Sequence, residues 1–231
     1  MTTAAKSILQ RVVGTLQDEA SVRWTVAELV RYLNDGQREI ALLRPDLVSK
    51  TIVFDCVAGS KQSLPADASA LVDILGNAAT TSAKGPVTIA DRTLLDAIEP
   101  GWRYATQSVD IVHYTHDLRD PRVFYTYPPA TANAKLDLIH TAVPAPITEP
   151  AAEGATFNDV TGNIGFPDIY ANALADYILY RAYTKDSEYA SNASRAQAHY
   201  AAFGGALGTD LKSAVAISPN QAGSVRGTPE V

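Results

Sequence analysis

Arg119-Asp120-Pro121-Arg122-Val123-Phe124-Tyr125-Thr126-Tyr127-Pro128-Pro129 is a charged turn that runs into an aromatic strand and meets a double proline. Period-two alternation puts Val123, Tyr125 and Tyr127 on one face and Phe124 on the other. Pro128 and Pro129 lack the amide donors a strand ladder needs, so the strand is expected to stop there. The turn holds Arg119 and Arg122 among Asp117 and Asp120, and pairing within the turn is the simplest use of all four. None of these residues forms a nucleophile–base pair, so the stretch reads as scaffold.

Working outward, residues 109–115 and 136–143 are strand-like runs with short connections to this one, which predicts an antiparallel meander. Residues 50–57 alternate, with Ile52, Phe54 and Cys56 on one face and Ala58-Gly59-Ser60 as a boundary. Residues 61–64 are placed to return as a short hairpin strand, stopped by Pro65. Residues 71–75 are an apolar run without an assignment. Residues 91–98 read as a short helix capped by Asp91 and ended before Pro100.

Helical spacing takes over at both ends. Ile8, Leu9, Val12, Val13 and Leu16 mark a helix over residues 3–16. A second helix follows Trp24, with Thr25 and Glu28 as a capping box, and Pro45 ends it. Residues 144–165 form a long Pro/Ala/Gly-rich segment of the kind that carries contacts. Pro167 opens a third helix. After a break at residues 184–186, Tyr189, Ala193, Ala196, Tyr200 and Phe203 mark a fourth, which Gly204-Gly205 is expected to end. From Gly208 the chain reads as a tail that alone should be disordered, with Leu211, Val215 and Ile217 as its large apolar residues.

The fold class that follows is α+β: a helical bundle from N- and C-terminal helices, a central antiparallel β-rich insertion and an extended C-terminal tail. The expected divisions are 1–48 for the first helices, 49–145 for the β-rich domain, 146–166 for the long loop, 167–207 for the closing helices and 208–231 for an arm.

The 231 residues are enough for a sizeable core, and a formal charge of −6 with no Lys/Arg-rich run argues against a nucleic-acid-binding surface. Lys6 and Arg11 interrupt the apolar residues of the N-terminus, so it does not read as a signal peptide. The most apolar helical run, residues 170–183, contains Asp176 and Arg181 and is too short to cross a bilayer. No membrane partner is expected, and the chain is expected to be soluble and intracellular when made. With Cys56 the single cysteine, no intrachain disulfide can form. Its alternation with Ile52 and Phe54 favours a core thiol over a nucleophile.

Chemistry is otherwise sparse. His113 and His116 are three apart on a strand and so face opposite ways, while His140 and His199 stand alone. There is no Gly-x-Ser-x-Gly elbow and no phosphate loop, and Gly204, Gly205 and Gly208 close a helix rather than follow a strand. No catalytic residue, cofactor or metal is expected. Tyr177, Tyr180, Tyr183, Tyr189 and Tyr200 crowd the last two helices. They serve either a helical hairpin core with hydroxyls at its rim or a subunit interface, where tyrosine is enriched. Tyr177, Tyr180, Tyr189 and Tyr200, with Phe157 in the long loop, are the candidates for a subunit or tail interface.

The stretch at 119–129 resembles a segment of a family of tailed-bacteriophage head-to-tail adaptor proteins, and the resemblance extends over most of the chain. Leu33-Asn34-Asp35-Gly36-Gln37-Arg38 leading to Leu43-Arg44-Pro45-Asp46 resembles that family's opening. Gly59, Gln62, Leu64 and Pro65 resemble its first hairpin. Leu94-Leu95-Asp96 with Pro100-Gly101-Trp102 resembles its central segment. Ala175-Asp176-Tyr177 through Tyr189-Ala190, then His199-Tyr200 and Phe203, resembles its closing helices. The joint occurrence of these pieces in order carries the likeness.

The resemblance implies a non-enzymatic virion protein of the neck, made in the host cytoplasm. Its subunits would form a homo-oligomeric ring of about twelve copies beneath the portal protein. DNA would pass through without specific binding, and the next tail or nozzle protein would dock below. An acidic subunit suits a conduit from which DNA must slide, since phosphate affinity comes from Lys and Arg. Leu211, Val215 and Ile217 are the expected portal anchors. Alternatives are another neck protein, such as a stopper or tail-completion subunit, and an enzyme or ligand-binding module built on the Tyr-rich helices and the Arg119/Arg122 turn.

Overall fold

The computed structural model describes residues 3–78, 86–151, 154–188 and 190–217. The chain divides into two compact units, Met1–Arg44 with Pro144–Val231, and Pro45–Val143.

The first unit is helical. α1 (Ala5–Leu16) buries Ile8, Leu9, Val12 and Val13, each at most 4% exposed. Burial of each such side chain is worth about 1.5–3 kcal/mol. The helix stops where Gln17 turns left-handed at φ 56°. Asp18 then accepts backbone N–H groups from Val22, Arg23 and Trp24 at 3.0, 2.9 and 2.9 Å, which shapes the entry to the next helix.

α2 (Val26–Leu43) starts at Thr25, whose hydroxyl accepts the Glu28 N–H at 3.3 Å. Only this half of the expected capping box forms. The Glu28 carboxylate instead accepts from Tyr32 and Lys185, both at 2.7 Å, because the charged Lys185 offers a stronger partner than a backbone amide.

α4 (Ala171–Lys185) and α5 (Ala190–Ile217) form a hairpin. α5 does not end at Gly204-Gly205: it continues to Ile217. The three helical glycines, Gly204, Gly205 and Gly208, cost about 1 kcal/mol each, and Ala206, Leu207, Leu211, Lys212, Ala214 and Ala216 are all good helix formers that carry it on.

The second unit holds two sheets. β1 (Ser49–Asp55), β7 (Lys135–Ala142) and β3 (Ala68–Asn77) form one antiparallel sheet in the order β1-β7-β3. β2 (Gly59–Ser63), β6 (Val123–Ala130), β5 (His113–His116) and β4 (Thr88–Ile89) form the other in the order β2-β6-β5-β4, with β4 parallel to β5. α3 (Arg92–Ile98) follows β4, capped by Asp91, which accepts the Thr93 and Leu94 N–H groups. The core between the sheets is built from residues such as Phe54, Leu71, Ile74, Ile111, Phe124 and Leu138.

Three local expectations change here. The meander breaks after β6, because β7 leaves for the β1–β3 sheet, where Leu136, Leu138, His140 and Ala142 are all buried. β2 does not pair back onto β1 but crosses to β6: Gly59 has φ 117°, and the buried Gln62 side chain bonds Val57 N–H, Val57 C=O and Gly59 C=O at 2.9, 2.8 and 2.9 Å. That side chain satisfies the turn without a β1–β2 ladder. Pro128 and Pro129 lie inside β6, not beyond it. They fall where the β2–β6 register jumps between Lys61↔Tyr125 and Gly59↔Ala130, so their missing donors are not needed.

The unassigned run at 71–75 belongs to β3, which has three register shifts against β7. Its buried residues therefore recur every third position, at Ala68, Leu71, Ile74 and Asn77, while Ser69, Val72 and Leu75 face solvent.

Candidate interaction surfaces

The aromatic face of β6 is covered within its own unit. Trp102, fully buried, stands edge-on to Tyr125 and Tyr127 at 6.3 and 6.5 Å, and the Arg103 guanidinium lies 4.9 Å from the Tyr125 ring centre. On the other face Phe124 meets Phe54 at 5.7 Å. The adjoining turn is a closed ion pair in which Arg119 donates to both oxygens of Asp117, holding that carboxyl well below its ordinary range. A cavity of about 270 Å³ lies beside it, lined by Arg92, His116, Asp117, Arg119 and Tyr125.

In the helical unit the closing helices make an aromatic row. Tyr177 meets Phe203 at 5.2 Å and Tyr180 meets Tyr200 at 4.8 Å. Tyr177 is only 5% exposed and faces the core, Tyr180 is half-buried, and Tyr200 is 45% exposed. Of these three, Tyr200 offers the most surface. It borders a groove of about 350 Å³ with Leu43, Phe203, Gly204, Leu207 and Gly208. Leu42 and Leu43, 77% and 50% exposed, extend the apolar surface at the end of α2. The sequence pattern offered a sign of them in an apolar pair next to Arg44-Pro45.

Phe157 is half-buried in the loop and lines a cavity of about 650 Å³ with Ser21, Thr25, Val26, Pro150 and Thr156. Tyr189 lies outside the described residues. Leu211, Val215 and Ile217 fall on the last turns of α5, and their side chains lie outside the described residues.

Burial first, and Asp55 second, push the Cys56 thiol up to about 12, away from the thiolate a nucleophile needs. His113 shares a hydrogen bond with Thr88 at 2.7 Å, and His199 one with Asp176 at 2.9 Å. Among the described residues no three His, Cys, Asp or Glu side chains are grouped as a metal would need, and no helix is long and apolar enough to cross a membrane.

The motif residues instead hold the chain to itself. Asn34 donates to Ile147 C=O at 2.9 Å and accepts Ile147 N–H at 2.8 Å, as a strand neighbour would. Gln37 donates to Asn34 and accepts Gly165 N–H at 2.8 Å. Between them, Gly36 lets α4 approach so closely that a β-carbon there would lie 2.6 Å from Leu174 Cδ1. One helical turn thus pins the start and end of the long loop and admits the neighbouring helix. Gln62 fills the first turn of the β unit, and Asp96 accepts the Trp102 indole N–H at 2.7 Å. Asp176 with His199, and Tyr177 with Phe203, join the closing helices.

These pairings give at least one residue of each of these motifs a structural task. No curated protein matches the sequence. The family model described as SU10 adaptor protein matches residues 3–226, nearly the whole chain. With that span, and with an α+β fold holding the motif residues in pairs, the chain belongs to the SU10 adaptor protein family, a family of phage head-to-tail adaptors.

Proposed function

We propose that the protein is a structural, non-enzymatic component of the virion neck. It forms a ring of about twelve copies beneath the portal protein, extends the DNA channel and docks the next tail or nozzle protein. The observation that carries this reading is the family match over residues 3–226. The structure supports it through the motif residues, which build scaffold rather than a reactive centre. The net charge of −6 suits a channel that DNA traverses without sticking.

Leu211, Val215 and Ile217, at the end of α5, are the proposed portal anchors. Tyr180, Tyr200 and Phe157, together with Tyr189, remain the proposed subunit or tail contacts, whereas Tyr177 is buried against Phe203 within the helical unit. Electron microscopy and native mass spectrometry of the protein mixed with its portal test the reading. A ring of this chain on the portal is expected, and monomer alone in the presence of portal overturns it. Deletion of residues 209–231 is expected to abolish portal binding, and unchanged binding would remove the anchor assignment.

A further inference from the structure

The two edges of the β1-β7-β3 sheet are built differently. Along β3 three register shifts interrupt the ladder, and such bulges turn an edge away from further pairing. Along β1 the register runs without a break from Ser49↔Thr141 to Asp55↔Lys135. Cys56 N–H donates to Ala134 C=O at 2.9 Å and continues that register, so Lys50, Ile52 and Phe54 are the residues that bond to β7. Thr51, Val53 and Asp55 therefore aim their N–H and C=O groups away from the sheet. Among the described residues no backbone group bonds to them. Thr51 and Asp55 are exposed, and Val53 is 57% exposed. Among the described residues the other sheet offers no comparable edge, because β2 has five residues with a register shift and β4 has two.

A row of unpaired backbone donors and acceptors specifies a strand as its partner, and the sequence of β1 suits a second β1. Set antiparallel with Ile52 opposite Ile52 of the second copy, Thr51 lies opposite Val53, Ser49 opposite Asp55 and Lys50 opposite Phe54. Outward-facing residues then meet outward-facing residues, β-branched side chains meet each other, and no like charges stand opposite. The resulting sheet has the order β3-β7-β1-β1-β7-β3, and a bulged β3 ends it on both sides.

We propose that β1 is a homotypic docking edge through which two copies of this chain join their β units in the absence of portal. One open edge and one blunted edge per sheet limit the assembly to two. The contact is small for a protein interface, so the dimer is weak and concentration-dependent. The inference stands apart from the ring reading, which concerns the particle formed on portal.

Sedimentation velocity of the full chain without portal, from micromolar to near-millimolar concentration, tests it. A monomer–dimer equilibrium is expected, with amide exchange at Thr51, Val53 and Asp55 slowing as concentration rises. Val53→Pro removes an outward donor at an edge position where proline fits, and is expected to weaken the dimer at least about tenfold. The double variant Thr51→Lys, Val53→Lys sets lysines opposite one another on an exposed face, and should act likewise if the proline variant folds poorly. A chain that stays monomeric throughout, species larger than two, or dimers equally tight in a well-folded variant would each overturn the proposal.

Discussion

Gly36→Ala is the substitution whose effect the helical unit determines most sharply. In an isolated helix it would gain about 1 kcal/mol, since glycine pays the larger backbone entropy. In α2 the new β-carbon would lie 2.6 Å from Leu174 Cδ1 and 2.8 Å from Tyr177 Cδ1, where carbon atoms settle near 3.5–4.0 Å. Neither neighbour can retreat. Leu174 is fully buried, and Tyr177, 5% exposed, is backed by Phe203 at 5.2 Å. Overpacking a core costs about 1–3 kcal/mol, and two such close contacts put this site at the upper end. The net is a destabilisation of about 2 kcal/mol, or a melting temperature lower by about 4–8 °C for a chain of this size.

Gly14→Ala in α1 is the control, because a β-carbon there meets nothing within 4 Å, and it should stabilise by about 1 kcal/mol. Unfolding of both variants can be followed by far-UV circular dichroism, which weights the helical unit because α1, α2, α4 and α5 all belong to it. If Gly36→Ala unfolds at or above the wild-type midpoint, α4 does not approach α2 as closely as the geometry requires.

Asn34→Ala leaves the buried Ile147 N–H and C=O without their partner, at a cost of about 1–3 kcal/mol for each unsatisfied group. Limited proteolysis should cut residues 144–166 faster, and an unchanged cleavage rate would deny Asn34 its role as a pin. Gln62→Leu strands the donors and acceptors of the Val57–Gly59 turn and should destabilise the β unit by about 2–4 kcal/mol, read by loss of Trp102 fluorescence at lower denaturant.

Acid should loosen the α1–α2 turn. Burial acts to raise the Asp18 carboxyl, but the three backbone donors outweigh it and hold it below the ordinary value. Its contribution is therefore full above the ordinary carboxylate range and is lost as pH falls through the lowered folded value. Asp186, lowered chiefly by its hydrogen bond from Arg23, adds to the same window. In Asp18→Asn the acid-induced loss of helix signal should be shallower, and an unchanged acid profile would rule Asp18 out as a contributor.

Features written in local chemistry were legible from the residues. Asp91 and Thr25 cap helices because an oxygen acceptor precedes an apolar run, and Pro45 ends α2 through its own ring. Partner choice among strands was not legible. β7 alternates equally well for a meander or for the sheet it joins, and only the packing of Leu136 and Leu138 decides. β3 escaped because its bulges change the period from two to three, a pattern that belongs to neither a strand nor a helix template. Pro128-Pro129 and Gly204-Gly205 have the local chemistry of stops. Each sits where the missing donor or the extra backbone freedom is tolerated by its surroundings.

The chain leaves the helical unit at Arg44–Pro45 and returns to it at Val143–Pro144, so a proline marks both crossings. Everything between those points folds on its own core, while the turn at Asn34–Gln37 and its partners Ile147 and Gly165 all belong to the helical unit. The β unit is thus a cassette. Its insertion between Arg44 and Pro144 keeps the residues of its core separate in sequence from those of the helical unit, with a proline at each crossing.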